Sequence, residues 1–339
     1  MSDYKPHVPV CTVILNWNGK ELLRRYLPSV VNRNPKEIAR VIVADNGSTD
    51  GSPEMLREEF PEVEVMAFDK NLGYAEGYNE VIRRLQDRCD YTILLNSDVR
   101  AESDFTTPLY RFMLDHPDCG ACQPKILSDT NPTYFEYAGA AGGFLDRHGY
   151  PYCRGRIFDT VEQDNGQYDT PLEVHWASGA CLMVDNAVYS RAGGLDSKFF
   201  AHMEEIDLCW RIRLLGKQVW AVPGAAVYHL GGGSLPASDP RKTYLNFRNN
   251  LLMLHKNLPD SVRTGLLFRR RLLDTLAWGK FVASGDFANA KSILKAHNDF
   301  RKMRKEYNDH PKVNLLNVGT NIIVDYFVRA RKTFSSLEN

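Results

Sequence analysis

The chain has 339 residues, 43% hydrophobic and 25% charged, and its 42 basic and 42 acidic side chains cancel to zero net charge. No run of about 18 uncharged apolar residues is present, which argues against a membrane span. The length exceeds the usual size of one domain and predicts a large α/β domain with a smaller appendage.

Charge is unevenly placed. Residues 241–339 hold about 19 Lys/Arg against about 8 Asp/Glu, so an acidic body precedes a basic tail. The start, MSDYKPHVPV, shows no basic stretch followed by an apolar one, so no signal peptide is expected, which points to the cytosol. Seven cysteines without framework spacing lie mostly in apolar runs. CGAC at 119–122 lacks a second Cys/His pair and predicts a strand with two buried thiols rather than a zinc site.

In chain order, VCTVIL (10–15) predicts a strand ending in the turn Asn16-Trp17-Asn18-Gly19, and ELLRRYLPSV a helix. VIVAD (41–45) is the next strand, followed by NGSTDGS and the helix PEMLREEF, with Ser52 as N-cap and Pro53 in its first turn. VEVMAF, a helix over 75–86, YTILL and the helix FTTPLYRFMLDH continue the alternation. Short, all-apolar strands between helices predict a parallel sheet covered on both faces, with a Rossmann-like, nucleotide-handling first half. Residues 128–172 lose the rhythm and predict loops or a hairpin excursion. VHWASGACLMV (174–184) restores a buried strand, EIDLCWRIRLLGK an amphipathic helix and QVWAVP a last core strand. From 241 the text is helical and basic.

Ligands in open α/β sheets bind outside the carboxyl ends of strands. The polar clusters stand there: Asn16 to Asn18, Asp45 to Ser52, Asn71 to Asn79, and Asn96 to Asp98. NWNGKE replaces the GxGxxG of dinucleotide dehydrogenases, and no GxxxxGK[ST] phosphate loop occurs. An acidic, amide-rich edge suits a base, a ribose and a metal-bound diphosphate.

VILNWNG, VIVADNGSTDGS, NLGYAEGYN, LLNSDV, WASGACLMV, HMEEIDLCWRIRLLGK and YHLGGGS, in that order, resemble the motifs of family-2 glycosyltransferases with the GT-A fold. The likeness covers about residues 8–255 and is strongest to the bacterial rhamnosyltransferase-like branch, which builds cell-surface polysaccharide. The resemblance implies an α/β fold, a Rossmann-like mixed sheet with helices on both faces, spanning residues 1–240. A C-terminal helical, basic extension would occupy 241–339.

It further implies roles. Asp45 would accept from the base, with Asn16 and Asn18 lining its pocket and Asp50 nearby; an imide N–H favours UDP- or dTDP-sugars. Asn71, Gly73, Gly77 and Asn79 would form the loop-to-helix segment by the donor. NSD stands where the family carries DxD. Asp98 would hold a divalent cation, Mn²⁺ or Mg²⁺, with Asn96 as a carbonyl ligand or partner of the ribose or diphosphate. His229 resembles the family's distal metal-binding histidine, and a structural histidine is the alternative. Glu205 would be the base of an inverting reaction, one methylene longer than the usual Asp, with Glu204 and Asp207 in reserve. Arg211 is placed to pair with Asp207. Trp176, Ser178 and Gly179 match the sugar-pocket strand, with core packing equally open for Trp176.

The basic tail has no catalytic text. Arg269, Arg270 and Arg271 lie among apolar residues, and RKMRK (301–305) is a second basic run. Peripheral attachment to the cytoplasmic face of a membrane is one reading. A helical cap packed on the catalytic domain or on a second copy is the other, and no nucleic-acid motif is present. The expected activity is metal-dependent, inverting transfer from a nucleoside diphosphate sugar to a hydroxyl of a glycan or lipid-linked glycan. A non-catalytic nucleotide-sugar-binding scaffold and a nucleotidyltransferase are the rivals.

Overall fold

The computed structural model describes residues 7–231, 239–307 and 312–337. Its elements begin β1 (Val10–Asn16), α1 (Lys20–Arg33), β2 (Ala39–Asp45), α2 (Ser52–Glu59), β3 (Glu64–Ala67), α3 (Tyr74–Leu85), β4 (Tyr91–Leu95) and β5 (Val99–Arg100). They continue with α4 (Thr106–Asp115), β6 (Cys119–Ser128), β7 (Gly143–Leu145), β8 (Pro151–Cys153), β9 (Arg156–Ile157), β10 (Thr160–Val161) and β11 (Leu172–Glu173). Then come β12 (Cys181–Asp185), α5 (Asn186–Arg191), α6 (Glu204–Leu214) and β13 (Gln218–His229). Four helices close the chain: α7 (Pro240–Asn257), α8 (Asp260–Ala283), α9 (Phe287–Met303) and α10 (Ile322–Phe327).

The main sheet runs β11-β13-β6-β12-β4-β1-β2-β3, with β5 paired to β13. Alternate residues of the all-apolar strands enter two cores. Cys11, Val13, Ile42 and Ala44 belong with Tyr78, Val81 and Ile82 of α3, whereas Val10, Ile14, Val41 and Val43 belong with Leu23 and Leu27 of α1 and Met55 of α2. Burial on both faces is why these strands read as unbroken apolar runs.

The sheet is mixed rather than purely parallel. β12 runs antiparallel to both β4 and β6, and β5 and β11 run antiparallel to β13. The carboxyl ends of β1, β2, β4 and β13 and the amino end of β12 therefore share one edge. Of the strand expected over 174–184 only β12 forms, because Ser178 spends its amide on Gln123 Oε1 and its hydroxyl on Ala138 O, making a turn. Residues 143–161 form a separate antiparallel sheet, β10-β9-β8-β7. Ser52 is the first residue of α2 instead of its N-cap; Gly51 precedes it at φ 79°, and Asp50 accepts from the Ser52 amide at 3.0 Å. All seven cysteines are free and buried, including Cys119 and Cys122 on β6.

α7 starts at Pro240 and is built into the residues that precede it. Its Arg248, Asn249, Asn250, Lys256 and Asn257 are all buried. The arginine triplet divides: Arg269 and Arg271 are exposed, while Arg270 is buried against Asp274, with its Cζ 3.8 Å over the Tyr150 ring. No described helix is long and apolar enough to cross a membrane.

Candidate active site

The shared edge is held by reciprocal side-chain to loop bonds. Asn16 Nδ2 donates to Asp45 Oδ1 at 3.0 Å and to Ser48 Oγ at 3.2 Å, and the Ser48 amide donates to Asp45 Oδ2 at 3.0 Å. Asn16 Oδ1 is buried without a donor. Asn18 Oδ1 accepts from the Thr49 amide at 2.8 Å, while Trp17 between the two asparagines is 58% exposed. Asp50 accepts from the amides of Lys20 and Ser52, pinning the start of α1 to that of α2. Partial burial opposes its charge, but the Ser52 hydroxyl and these two amides, all donating to it, hold its carboxyl below the usual range.

Asn46 is a residue the sequence reading missed. Its Nδ2 reaches Asn71 Oδ1 at 3.0 Å and Gly73 O at 3.1 Å, and its Oδ1 accepts from the Leu72 amide at 2.8 Å, so it carries the loop before α3. A β-carbon at Gly77 would lie 2.9 Å from the Leu15 methyls, so this glycine lets α3 approach β1. Asn79 is not brought to the edge: its amide is consumed by both backbone groups of Leu195 and by the Tyr189 hydroxyl.

Asp98 and His229 are brought together by strand pairing, since β5 sets Val99 opposite His229 on β13. Asp98 Oδ1 stands 3.1 Å from His229 Nε2, and Asn96 Nδ2 lies 3.3 Å from the same nitrogen. Glu136, also missed, lies 3.4 Å from His229 Nδ1. Burial alone would lower the imidazole pKa, but Asp98 and Glu136 raise it to about 10. Gly232 to Ser234 of the YHLGGGS motif lie outside the described residues.

No group of three or more His, Cys, Asp or Glu among the described residues is arranged to hold a metal. A two-residue share of a site does fit. Two ligands about 2.1 Å from one octahedral ion and at right angles to each other stand about 3 Å apart. Glu136 stands behind the other ring nitrogen, the side from which a carboxylate supports a metal-binding histidine, at 3.4 Å and without a formed hydrogen bond to Nδ1.

The second cluster opens α6. Among the described residues, neither the buried Oε2 of Glu204 nor that of Glu205 has a partner. Burial and the neighbouring Glu205 push Glu204 well above the usual carboxylate range, and burial lifts Glu205 to about 7. A β-carbon at Gly179 would lie 2.9 Å from the Tyr74 hydroxyl, so this glycine makes room for Tyr74, and at 3.8 Å from Glu205 Cβ it lies in ordinary contact with Glu205. Ala180, the next residue, accepts from the Asn96 amide at 3.0 Å. The turn at 178–180 thus touches Glu205 on one side and is bonded through Ala180 to Asn96, whose side chain reaches His229, on the other.

Asp207, the other reserve, has both carboxylate oxygens engaged. It is fully buried and takes Arg211 at 2.8 Å, Lys256 at 2.9 Å and Asn257 at 2.8 Å. Burial works against its charge, but Arg211 and Lys256 hold its carboxyl below the usual range. Trp176 is a core residue, buried against Gly143 with Nε1 donating to Phe144 O at 3.0 Å. Ser178 is likewise committed to the turn, leaving Gly179 as the member of that trio beside the cluster.

Glycosyl transferase family 2 matches residues 11–185, just over half the chain. The N-acetylglucosaminyl-diphospho-decaprenol L-rhamnosyltransferase of Mycobacterium tuberculosis is 28% identical over 244 residues, covering 68% of this chain and 76% of its own. Rhamnosyltransferase WbbL of Escherichia coli is 23% identical over 166 residues, covering 49% and 61%. Among solved structures, GalNAc-T7 with UDP, GalNAc and Mn²⁺ matches with a TM-score of 0.57 at 18% identity, over 75% of this chain and about half (49%) of its own. The mannosyltransferase PcManGT of Pyrobaculum calidifontis, in complex with GDP-Man and Mn²⁺, matches with a TM-score of 0.51 at 14% identity, over 89% and 86%. The mixed α/β sheet has the GT-A fold, and the chain belongs to glycosyl transferase family 2, in its rhamnosyltransferase-like branch.

Proposed function

We propose that the protein transfers a sugar, with inversion, from a UDP- or dTDP-sugar to a hydroxyl of a glycan carried on a lipid diphosphate, for cell-surface polysaccharide. The observation that carries this reading is Glu205: a shielded carboxylate with an oxygen that no described residue engages and a pKa raised to about 7, beside the Gly179 turn whose next residue is bonded to Asn96. The Mycobacterium tuberculosis relative's name supplies the acceptor class.

Asp45, fixed by Asn16 and Ser48, accepts from the imide N–H of the base, and Asn16 Oδ1 offers a second acceptor there. Asn18 and Asp50 hold the rim of that pocket, and Asn71 and Gly73 set the loop along the donor. Asp98 and His229 would hold a divalent cation, Mn²⁺ or Mg²⁺, with Asn96 beside it; such an ion offsets charge on a diphosphate leaving group. Glu205 takes the proton from the acceptor hydroxyl as its oxygen bonds to the anomeric carbon. The C–O bond to the nucleoside diphosphate breaks, and that group departs with the electron pair. Glu204 stands beside Glu205, its own carboxyl raised well above the usual range by burial and by the neighbouring Glu205.

The basic C-terminal region faces the membrane in this reading. Phe268, Leu272 and Leu276 on α8 are 62%, 55% and 71% exposed, spaced four residues apart and flanked by exposed Arg269 and Arg271. An apolar stripe edged by arginines suits an anionic lipid surface at the cytoplasmic face.

The test is product analysis with UDP- and dTDP-sugars, Mn²⁺ and a lipid-diphosphate acceptor. Release of nucleoside diphosphate with an inverted glycosidic product is expected. A retained anomeric configuration would overturn the mechanism, and binding of the sugar nucleotides without turnover would favour the scaffold.

A further inference from the structure

The segment leading into α6 is strained in a directed way. Phe200 has φ 68° and ψ −58° and centres a γ-turn closed by the Ala201 amide on Phe199 O at 2.8 Å. His202 and Met203 follow at φ 68° and 73°. Left-handed backbone at non-glycine residues persists only where the surroundings over-determine it. Here α7 does so. Asn249 Nδ2 lies 2.9, 2.8 and 2.8 Å from the carbonyl oxygens of Phe199, Ala201 and His202, and Arg248 Nη2 donates to Phe199 O at 2.8 Å.

The outcome of that strain is a phenylalanine ring 47% exposed, five residues before Glu205. Arg241 Cζ stands 4.7 Å over the ring. Among the described residues its guanidinium makes no hydrogen bond or ion pair. The turn thus offers solvent an apolar ring with a guanidinium over it.

We propose that Phe200 and Arg241 form the acceptor subsite, the ring carrying the apolar face of the acceptor sugar and the guanidinium holding a phosphate attached to it. The inference rests on the glycosyl-transfer reading and deepens it. An aromatic ring suits the C–H face of a sugar, and a guanidinium pairs with phosphate through two parallel hydrogen bonds. The two chemistries side by side fit a sugar whose anomeric oxygen bears a phosphate.

The experiment is calorimetric titration, with UDP or dTDP and Mn²⁺ present, of two probes: N-acetylglucosamine on a short polyprenyl diphosphate, and its uncharged octyl glycoside. Arg241→Gln should weaken the diphosphate probe about tenfold and spare the glycoside. Phe200→Gly should weaken both while keeping or raising the thermal midpoint, because glycine adopts this backbone without strain. Arg241→Gln weakening both probes equally or neither, Phe200→Gly weakening neither, or wild type binding neither would overturn the subsite. Failure of the transfer reading shows separately, as wild type that binds these probes but moves no sugar onto them.

Discussion

Glu136 Oε2 stands 3.4 Å from His229 Nδ1 while Asp98 Oδ1 stands 3.1 Å from Nε2, so one imidazole is held between two carboxylates. Glu136 lies in the stretch between β6 and β7, far in sequence from both partners. Glu136→Gln should weaken Mn²⁺-dependent donor binding by roughly 10- to 100-fold. A Mn²⁺ titration of the donor-induced thermal shift checks this; an unchanged midpoint concentration would leave Glu136 a packing residue.

Glu205→Gln should bind donor normally and lose transfer. In the wild type the rate should rise with pH through about 7, as the carboxylate becomes a base. Stability runs the other way. A carboxyl raised from 4.5 to about 7 binds more protons folded than unfolded between those values, so the fold loses stability as pH climbs through them. Removing that charge should stabilise by up to roughly 3 kcal/mol at pH 8 and by little at pH 4. Urea melts at the two pH values measure it, and equal shifts at both would refute the assignment of burial as the cause.

Asp207→Ala should cost about 3–5 kcal/mol, because it strands Arg211 and Lys256 without their shared carboxylate. The sign with pH is opposite to that of Glu205. A depressed carboxyl contributes above its unfolded value, near 4, and the contribution fades as pH falls through the folded value. Denaturant unfolding at pH 7 gives the magnitude; a loss under 1 kcal/mol would mean the buried network is not held as described.

Wild type should cosediment with vesicles containing anionic phospholipid at low salt and detach as salt rises. Replacing Phe268, Leu272 and Leu276 with serine should abolish the attachment. Substituting Arg269 and Arg271 with glutamate should do the same. A shift from dimer to monomer in the serine variant, without lipid binding in the wild type, would assign the stripe to a second copy instead.

The strand–helix alternation and the polar strand ends were legible because both are local: one is a periodicity, the other a residue type at a strand terminus. Which polar residue turns toward the edge is not local. Asn79 and Asp207 stand in the right motifs, but Leu195 and Lys256 consume them from elements far along the chain. Asn46 sat in view inside ADNGS, and its role showed only once the 71–73 loop lay beside it. Glu136 had no signal at all, coming from a stretch whose short strands are below the length at which periodicity registers. Arg270 misled by its neighbours, since three consecutive helical positions point about 100° apart and cannot form one surface.

The placement of α7 bears on how such enzymes can be recombined. The recognised family segment ends at residue 185, but Asn249 secures the turn before Glu205, and Lys256 and Asn257 complete the shell around Asp207. The residues that shape the acidic cluster therefore extend at least to Asn257, well past the recognised segment. A chimera joined at 240 would inherit the donor half from one parent and the bearing of its base from the other.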